Sequence, residues 1–269
     1  MRFIFWTCLI VFIFYGILYL IRKYILKYRF SFNESDMLMF FGLPGSGKST
    51  VCADIVRQCF FAKKSPNKRI PKDIATYCNF PIIGAYSLNR DDIGNVDFRR
   101  VGSDHALLLI DEASTVYFKR NAMSKDPKSK FRDSENEFHS MHRHYKTMEV
   151  FFAQSWDGVD LRLRELSTGL YYVEPSRIRP FIKIRKIVKI FKIDENSQPI
   201  DGYDFEKWSS RYVYAPAAWY LFDTYHAPEL PNKEPDEWYP DQYPVRLPRF
   251  FRIRRTRAKK KVEKNNQDT

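Results

Sequence analysis

Acidic residues are absent from positions 2–29 of this chain, and positions 3–21 carry no charge of either sign. Cysteine is scarce as well. The four present (Cys8, Cys52, Cys59, Cys78) form no C-x-x-C pair and no disulfide-like spacing. That argues against a stapled secreted scaffold and for reduced thiols in a cytosolic compartment. Global disorder is excluded by a hydrophobic content of 44% and an aromatic content of 17%. The formal charge of +13 is concentrated at the two ends. About five basic residues lie in 2–29, and about ten, against Glu263, lie in 246–264. The stretch between them is close to neutral.

What fills the charge-free segment is FIFWTCLIVFIFYGILYLI. At 1.5 Å per residue it spans roughly 28 Å, close to the hydrocarbon thickness of a bilayer. Its Leu, Ile, Val and Phe residues favour insertion by on the order of 4–8 kcal/mol in sum. A cleaved signal peptide would have a shorter apolar core and small residues at its end, whereas Ile21 runs straight into Arg22 and Lys23. The segment predicts one transmembrane anchor over residues 1–21, followed by a juxtamembrane linker over 22–36. Arg22, Lys23, Lys27 and Arg29 outweigh Arg2 and place the C-terminal side in the cytoplasm, with the N-terminus out.

Residues 42–50 read GLPGSGKST and match G-x-x-x-x-G-K-S. Met37, Leu38, Met39, Phe40 and Phe41 before them have strand length, and 51–57 carry apolar residues at Val51, Ile55 and Val56 with no Gly or Pro. Strand, glycine-rich turn and helix form the setting in which backbone N–H groups and a helix N-terminus receive phosphate. Gly42, Pro44, Gly45, Ser46, Gly47, Lys48, Ser49 and Thr50 are the candidate nucleotide-binding residues. Lys48 reaches the outer phosphates, and Ser49 offers a hydroxyl to Mg²⁺. GTP is disfavoured, because Asn232-Lys233-Glu234-Pro235 lacks the Asp of an N-K-x-D base-recognition motif.

Ala106 to Ile110 is a continuous apolar run, as expected of a central parallel strand buried on both faces, and it ends in Asp111-Glu112. Downstream of a phosphate loop, Asp111 is the candidate Mg²⁺ ligand and Glu112 the residue that polarises the attacking water. Met148 to Ala153 forms another strand and delivers Gln154, a candidate for orienting that water or sensing the γ-phosphate. Ser134 and Glu137 offer a capping box for a helix whose Phe138, Met141 and Tyr145 make an apolar stripe. Three histidines lie on it, His139, His142 and His144, but His142 and His144 are two apart and diverge around a helix, which argues against a metal site. Asp157 is expected to cap a short helix with Val159, Leu163 and Leu166 on one face. Arg162 and Arg164 project from it, and Arg164 is the candidate arginine finger across a subunit boundary.

Together these pieces resemble the zonular occludens toxin (Zot)-like family, which includes the gene I morphogenesis proteins of filamentous phages. The resemblance covers residues 37–226. It rests on the phosphate loop, Asn79-x-Pro81, Leu109-Ile110-Asp111-Glu112-Ala113, His142-Arg143-His144, Gln154, Asp160-x-Arg162-x-Arg164 and Tyr220-Leu221-Phe222-Asp223-Thr224-Tyr225. It implies an ATP- and Mg²⁺-dependent, membrane-bound ATPase that assembles as a homo-oligomeric ring. Its implied work is to drive assembly and extrusion of filamentous virions through the host inner membrane, with phage coat and assembly proteins as partners. In many family members the span follows the ATPase domain; here it precedes it. A membrane-anchored DNA translocase or packaging ATPase, and a nucleotide-binding assembly platform that does not hydrolyse, are the alternatives.

The expected fold is therefore α/β, a P-loop NTPase with a mostly parallel central sheet flanked by helices and preceded by one transmembrane helix. The ATPase domain runs over 37–226, with a β extension over 170–226. Within it, FIKIRKIVKIFKI (181–193) favours a strand entering a hairpin over a basic amphipathic helix. Residues 227–269 read as a Pro-rich and then basic tail that contacts phage DNA or anionic lipid.

Overall fold

The computed structural model describes residues 2–64, 68–99, 103–117, 133–193 and 199–222. The predicted tail over 227–269, with its basic run, lies outside these residues, as does the polar stretch 118–132.

The N-terminal apolar run is helical, α1 (Arg2–Leu20), continued by a π-helical turn Ile21–Ile25. Together they supply one helix, Ile4–Ile25, long and apolar enough to cross a membrane. None of its most apolar window is buried inside the protein. Residues 27–30 do not hang as a free linker. Tyr28 and Phe30 are buried, and the Tyr28 ring packs edge-on against Phe40 at 6.2 Å. The aromatic content of this stretch draws it into the core.

The domain is built on one nine-stranded sheet. Its strands are β1 (Met37–Phe41), β2 (Ile74–Cys78), β3 (Tyr86–Ser87), β4 (His105–Ile110), β5 (Thr147–Ala153), β6 (Gly169–Pro175), β7 (Phe181–Ile193), β8 (Pro199–Phe205) and β9 (Arg211–Tyr214). The order is β3-β2-β4-β5-β1-β6-β7-β8, with β9 also paired to β7. Every pairing from β3 across to β6 is parallel, and those of β7 with β6, β8 and β9 are antiparallel. The sheet thus divides into a parallel half carrying the phosphate loop and an antiparallel extension. The basic-apolar run 181–193 is a strand paired with β8, as its β-branched content predicts.

Parallel strands need crossover helices on both faces, so the inner strands are buried throughout. Alternation sorts β1 between two cores. Leu38 and Phe40 meet Val51, Ile55 and Val56 of α2 (Lys48–Lys64) on one side. Met37 and Met39 meet Phe138 of α4 (Asp133–Met141) and Leu163 of α5 (Leu161–Leu166) on the other.

Two helix expectations need correction. The helical stripe Phe138, Met141, Tyr145 is broken, because α4 stops at Met141 and a 3-10 turn, His142–Tyr145, follows, although the Tyr145 ring still stacks on Phe138 at 5.5 Å. Met141 and Tyr145 are exposed, and the inward face is Glu135, Phe138, His139 and His142. Burial of Glu135, paired with Arg90 at 2.9 Å, and of His139, hydrogen-bonded to Glu149 at 2.6 Å, turns the helix away from its most apolar reading. The cap of α5 is Asp160, whose Oδ1 accepts from the Arg162 N–H at 3.0 Å; Asp157 is 89% exposed and does not cap.

Candidate active site

The residues that could handle a nucleotide meet at the C-terminal edge of the parallel strands, where open α/β sheets place their sites. Three neighbouring strands build it. β1 ends in the phosphate loop, β4 ends in Asp111-Glu112, and β5, lying between them, ends in Gln154. Because β5 separates the other two, Gln154 emerges between the loop and the acidic pair.

The loop is held in place from both ends. The Gly42 N–H donates to the Ala153 carbonyl at 3.3 Å, and the Ser46 N–H donates to the Leu43 carbonyl at 3.0 Å. A Cβ at Gly42 would run into the carbonyl of Val173, so only glycine lets the loop pass this close to β6. Gly47 has φ of +100° just ahead of α2, a left-handed conformation that turns the chain into the helix. Pro44 is exposed at the tip, whereas Ser46, Lys48 and Thr50 are buried. The Lys48 ammonium donates to the carbonyls of Gly42 and Leu43, at 2.9 and 3.3 Å, which holds it over the inside of the loop.

Asp111 is tied to this loop. Its Oδ2 accepts from the Ser49 hydroxyl at 2.8 Å, and its Oδ1 accepts from the Glu112 N–H at 2.9 Å. Burial pushes the Asp111 carboxyl above the usual carboxylate range. The Ser49 hydroxyl and Glu112 N–H oppose that, the Glu112 charge adds to it, and Lys48 also opposes it. Two hard oxygens side by side, next to a lysine, suit a Mg²⁺ site shared with phosphate.

Asn79 fixes Asp111 from the neighbouring strand. Its side-chain amide donates to the Asp111 carbonyl at 2.8 Å, and its Oδ1 accepts from the Asp111 N–H at 2.7 Å. Both backbone groups left over where β4 leaves the sheet are thereby satisfied. The sequence offers one signal for this role, a polar side chain directly after a buried strand that flanks the acidic one.

Glu112 stands in a left-handed conformation, φ 50° and ψ 44°, at the start of a single helical turn, α3 (Ala113–Val116). A non-glycine residue there costs on the order of 1–2 kcal/mol. The Gln154 amide donates to both carboxylate oxygens of Glu112, at 3.2 and 3.1 Å. Gln154 is exposed, so the pair faces the open edge of the site.

Arg164 is engaged within its own chain. Its guanidinium lies over the Trp156 ring at 5.5 Å and pairs with Asp157 at 3.4 Å. The histidines occupy separate environments: His139 is buried between Glu149 and Tyr117, the His142 Nδ1–H donates to the His139 carbonyl at 2.8 Å, and His144 is exposed. Among the described residues, no group of three or more His, Cys, Asp or Glu could hold a metal ion.

Strand, glycine-rich loop, helix and a buried carboxylate on a nearby parallel strand define a P-loop NTPase fold. Solved structures similar to this chain include the N-terminal domain of zonular occludens toxin from Neisseria meningitidis. It is 18% identical, with 65% of this chain and 96% of that one covered and a TM-score of 0.42. Also similar is the genome packaging NTPase B204 of Sulfolobus turreted icosahedral virus 2 in complex with ATP-gammaS, at 13% identity, 65% and 98% coverage and a TM-score of 0.40. A third is EccC (ATPases 2 and 3) of Thermomonospora curvata, at 15% identity, 52% and 31% coverage and a TM-score of 0.35. No family model and no curated protein matches the chain.

Proposed function

We propose that this chain is a membrane-anchored, Mg²⁺-dependent ATPase that drives assembly and extrusion of filamentous phage virions across the host inner membrane. The observation that carries the hydrolytic part is the Glu112–Gln154 pair set beside the Ser49–Asp111 pair. ATP in the loop has its phosphates against the loop N–H groups, Lys48 and the N-terminus of α2. Ser49 and Asp111 would hold Mg²⁺, which when bound would neutralise charge on the phosphates. Glu112 orients a water and takes its proton, and Gln154 holds the Glu112 carboxylate and senses the γ-phosphate side.

The membrane part is supported by the apolar helix Ile4–Ile25 and by the basic residues after it, which favour a cytoplasmic ATPase domain and an outside N-terminus. A homo-oligomeric ring, with Arg164 released from Asp157 to act on a neighbouring subunit, and contacts to coat and assembly proteins complete the reading. That part is carried over from the Zot-like motif set.

Virion release from cells supplied with the chain in trans tests the extrusion task. The Lys48→Ala variant is expected to stay in the membrane and release no virions. Duplex DNA added to membranes holding the wild type is expected to leave ATP turnover nearly unchanged. Strong stimulation by DNA, with release unaffected by Lys48→Ala, would assign the chain to DNA translocation instead.

A further inference from the structure

Directly beyond the apolar helix lies a cavity of about 750 Å³ that the nucleotide chemistry does not use. Lys23, Lys27, Arg29, Arg57 and Arg69 converge on it from the helix end, the segment after it, α2 and the stretch before β2. Asp54 pairs with Arg57 at 2.6 Å. Tyr212 and Tyr214 of β9 line it as well.

The cavity has a fixed place relative to the helix. The Tyr28 N–H donates to the Tyr212 carbonyl at 2.8 Å, and the Tyr212 N–H donates to the Leu26 carbonyl at 2.8 Å. Tyr19 of α1 packs edge-on against Phe181 at 5.2 Å, and the Arg22 guanidinium lies over the Tyr212 ring at 4.6 Å. Lys23 lies over the Tyr214 ring at 5.0 Å. The apolar helix is thus clamped to the antiparallel extension, and Lys23 lies two residues before its end at Ile25.

We propose that this cavity binds the phosphate headgroup of an anionic phospholipid from the leaflet in which the C-terminal end of the helix stands. The assignment rests on the reading of Ile4–Ile25 as a membrane anchor. Lys23, Lys27 and Arg57 are held partly out of water, and cations so placed gain most from an anion that replaces their lost solvation; basic pockets at a membrane boundary take lipid headgroups on these grounds. Burial lowers the affinity of Lys27 for its proton, and Arg57 and Arg29 lower it further against the opposing Asp54. A bound phosphate reverses that balance. The tyrosine wall suits the interfacial level, where amphipathic rings settle.

The test uses the full chain in mild detergent, read by native mass spectrometry. It is titrated with phosphatidylglycerol, phosphatidylcholine, soluble glycerol phosphate or a single-stranded oligonucleotide. Phosphatidylglycerol is expected to be retained over phosphatidylcholine, with glycerol phosphate competing only weakly. Lys27→Gln/Arg29→Gln should weaken that retention about tenfold, while Arg177→Gln/Lys207→Gln, at two exposed sites outside the cavity, leaves it intact. Equal retention of the two lipids, or retention unchanged in Lys27→Gln/Arg29→Gln, overturns the proposal. So does glycerol phosphate displacing the lipid at equal concentration, which assigns the cavity to a soluble phosphate ester. Oligonucleotide binding that the double variant abolishes while lipid retention persists also overturns it, in favour of nucleic acid. Alkaline carbonate extraction of membranes checks the anchor separately, because release of the chain there sinks the anchor without touching headgroup selectivity in micelles.

Discussion

Gln154 and Glu112, forty-two positions apart, share a two-pronged hydrogen bond in which one amide group spans both oxygens of one carboxylate. An amide donor spanning both oxygens fixes the orientation of the carboxylate, which a general base needs. Replacing Gln154 by Ala is expected to lower the maximal turnover roughly tenfold or more while leaving ATP affinity nearly unchanged. Gln154→Glu should do worse, because two carboxylates then face each other. Steady-state kinetics beside equilibrium binding of a fluorescent ATP analogue separate the two effects.

Asp111 carries a pH signature. Burial raises its carboxyl above the unfolded value, so the native state holds the proton over a range where the unfolded chain has lost it. Stability contributed by this residue therefore falls as pH rises from the ordinary carboxylate value through the raised one. Asp111→Asn is expected to raise the melting temperature at neutral pH, with the gain shrinking as pH falls into the acid range. The same variant should lose Mg²⁺-dependent ATP binding. Melting curves across pH, with and without Mg²⁺ and ATP, check both expectations.

Asn79→Ala leaves the N–H and carbonyl of Asp111 without their partners. A cost of about 1–3 kcal/mol is expected from these unmet groups. Denaturant unfolding measures it, and turnover should fall together with stability because the carboxylate loses its fixed backbone.

His139 and Glu149 form a hydrogen bond of 2.6 Å between two side chains that are both fully buried. Removing one partner strands the other, so His139→Leu is expected to destabilise the domain by about 2–4 kcal/mol. ATP affinity at a temperature where the variant stays folded should be unchanged, since the pair lies on α4 and β5 away from the loop.

Much of the site is written locally in the chain. The phosphate loop, the apolar run into Asp111-Glu112 and the strand into Gln154 are each contiguous, so backbone periodicity and glycine spacing are enough to find them. That β5 lies between β1 and β4, which brings Gln154 to Glu112, is a fact of strand order that no local pattern encodes. The left-handed backbone of Glu112 and the clasp of Asn79 on Asp111 are tertiary in the same sense. The end of α4 misleads a reading of periodicity because the residues that turn inward, Glu135 and His139, are polar and find their partners on distant segments. The cap falls at Asp160 and not at Asp157 because the first helical turn begins at Leu161, a start that residue type alone does not fix. Tyr28 and Phe30 fall in the stretch that reads as a juxtamembrane linker, yet both are buried in the core.

The most direct test is the Glu112→Gln variant of the full chain in membranes, measured for both ATP binding and ATP turnover beside the wild type. The account predicts unchanged binding in the variant and turnover reduced at least about a hundredfold. Wild-type membranes that bind ATP without turning it over, or a variant that hydrolyses as fast as the wild type, would contradict it.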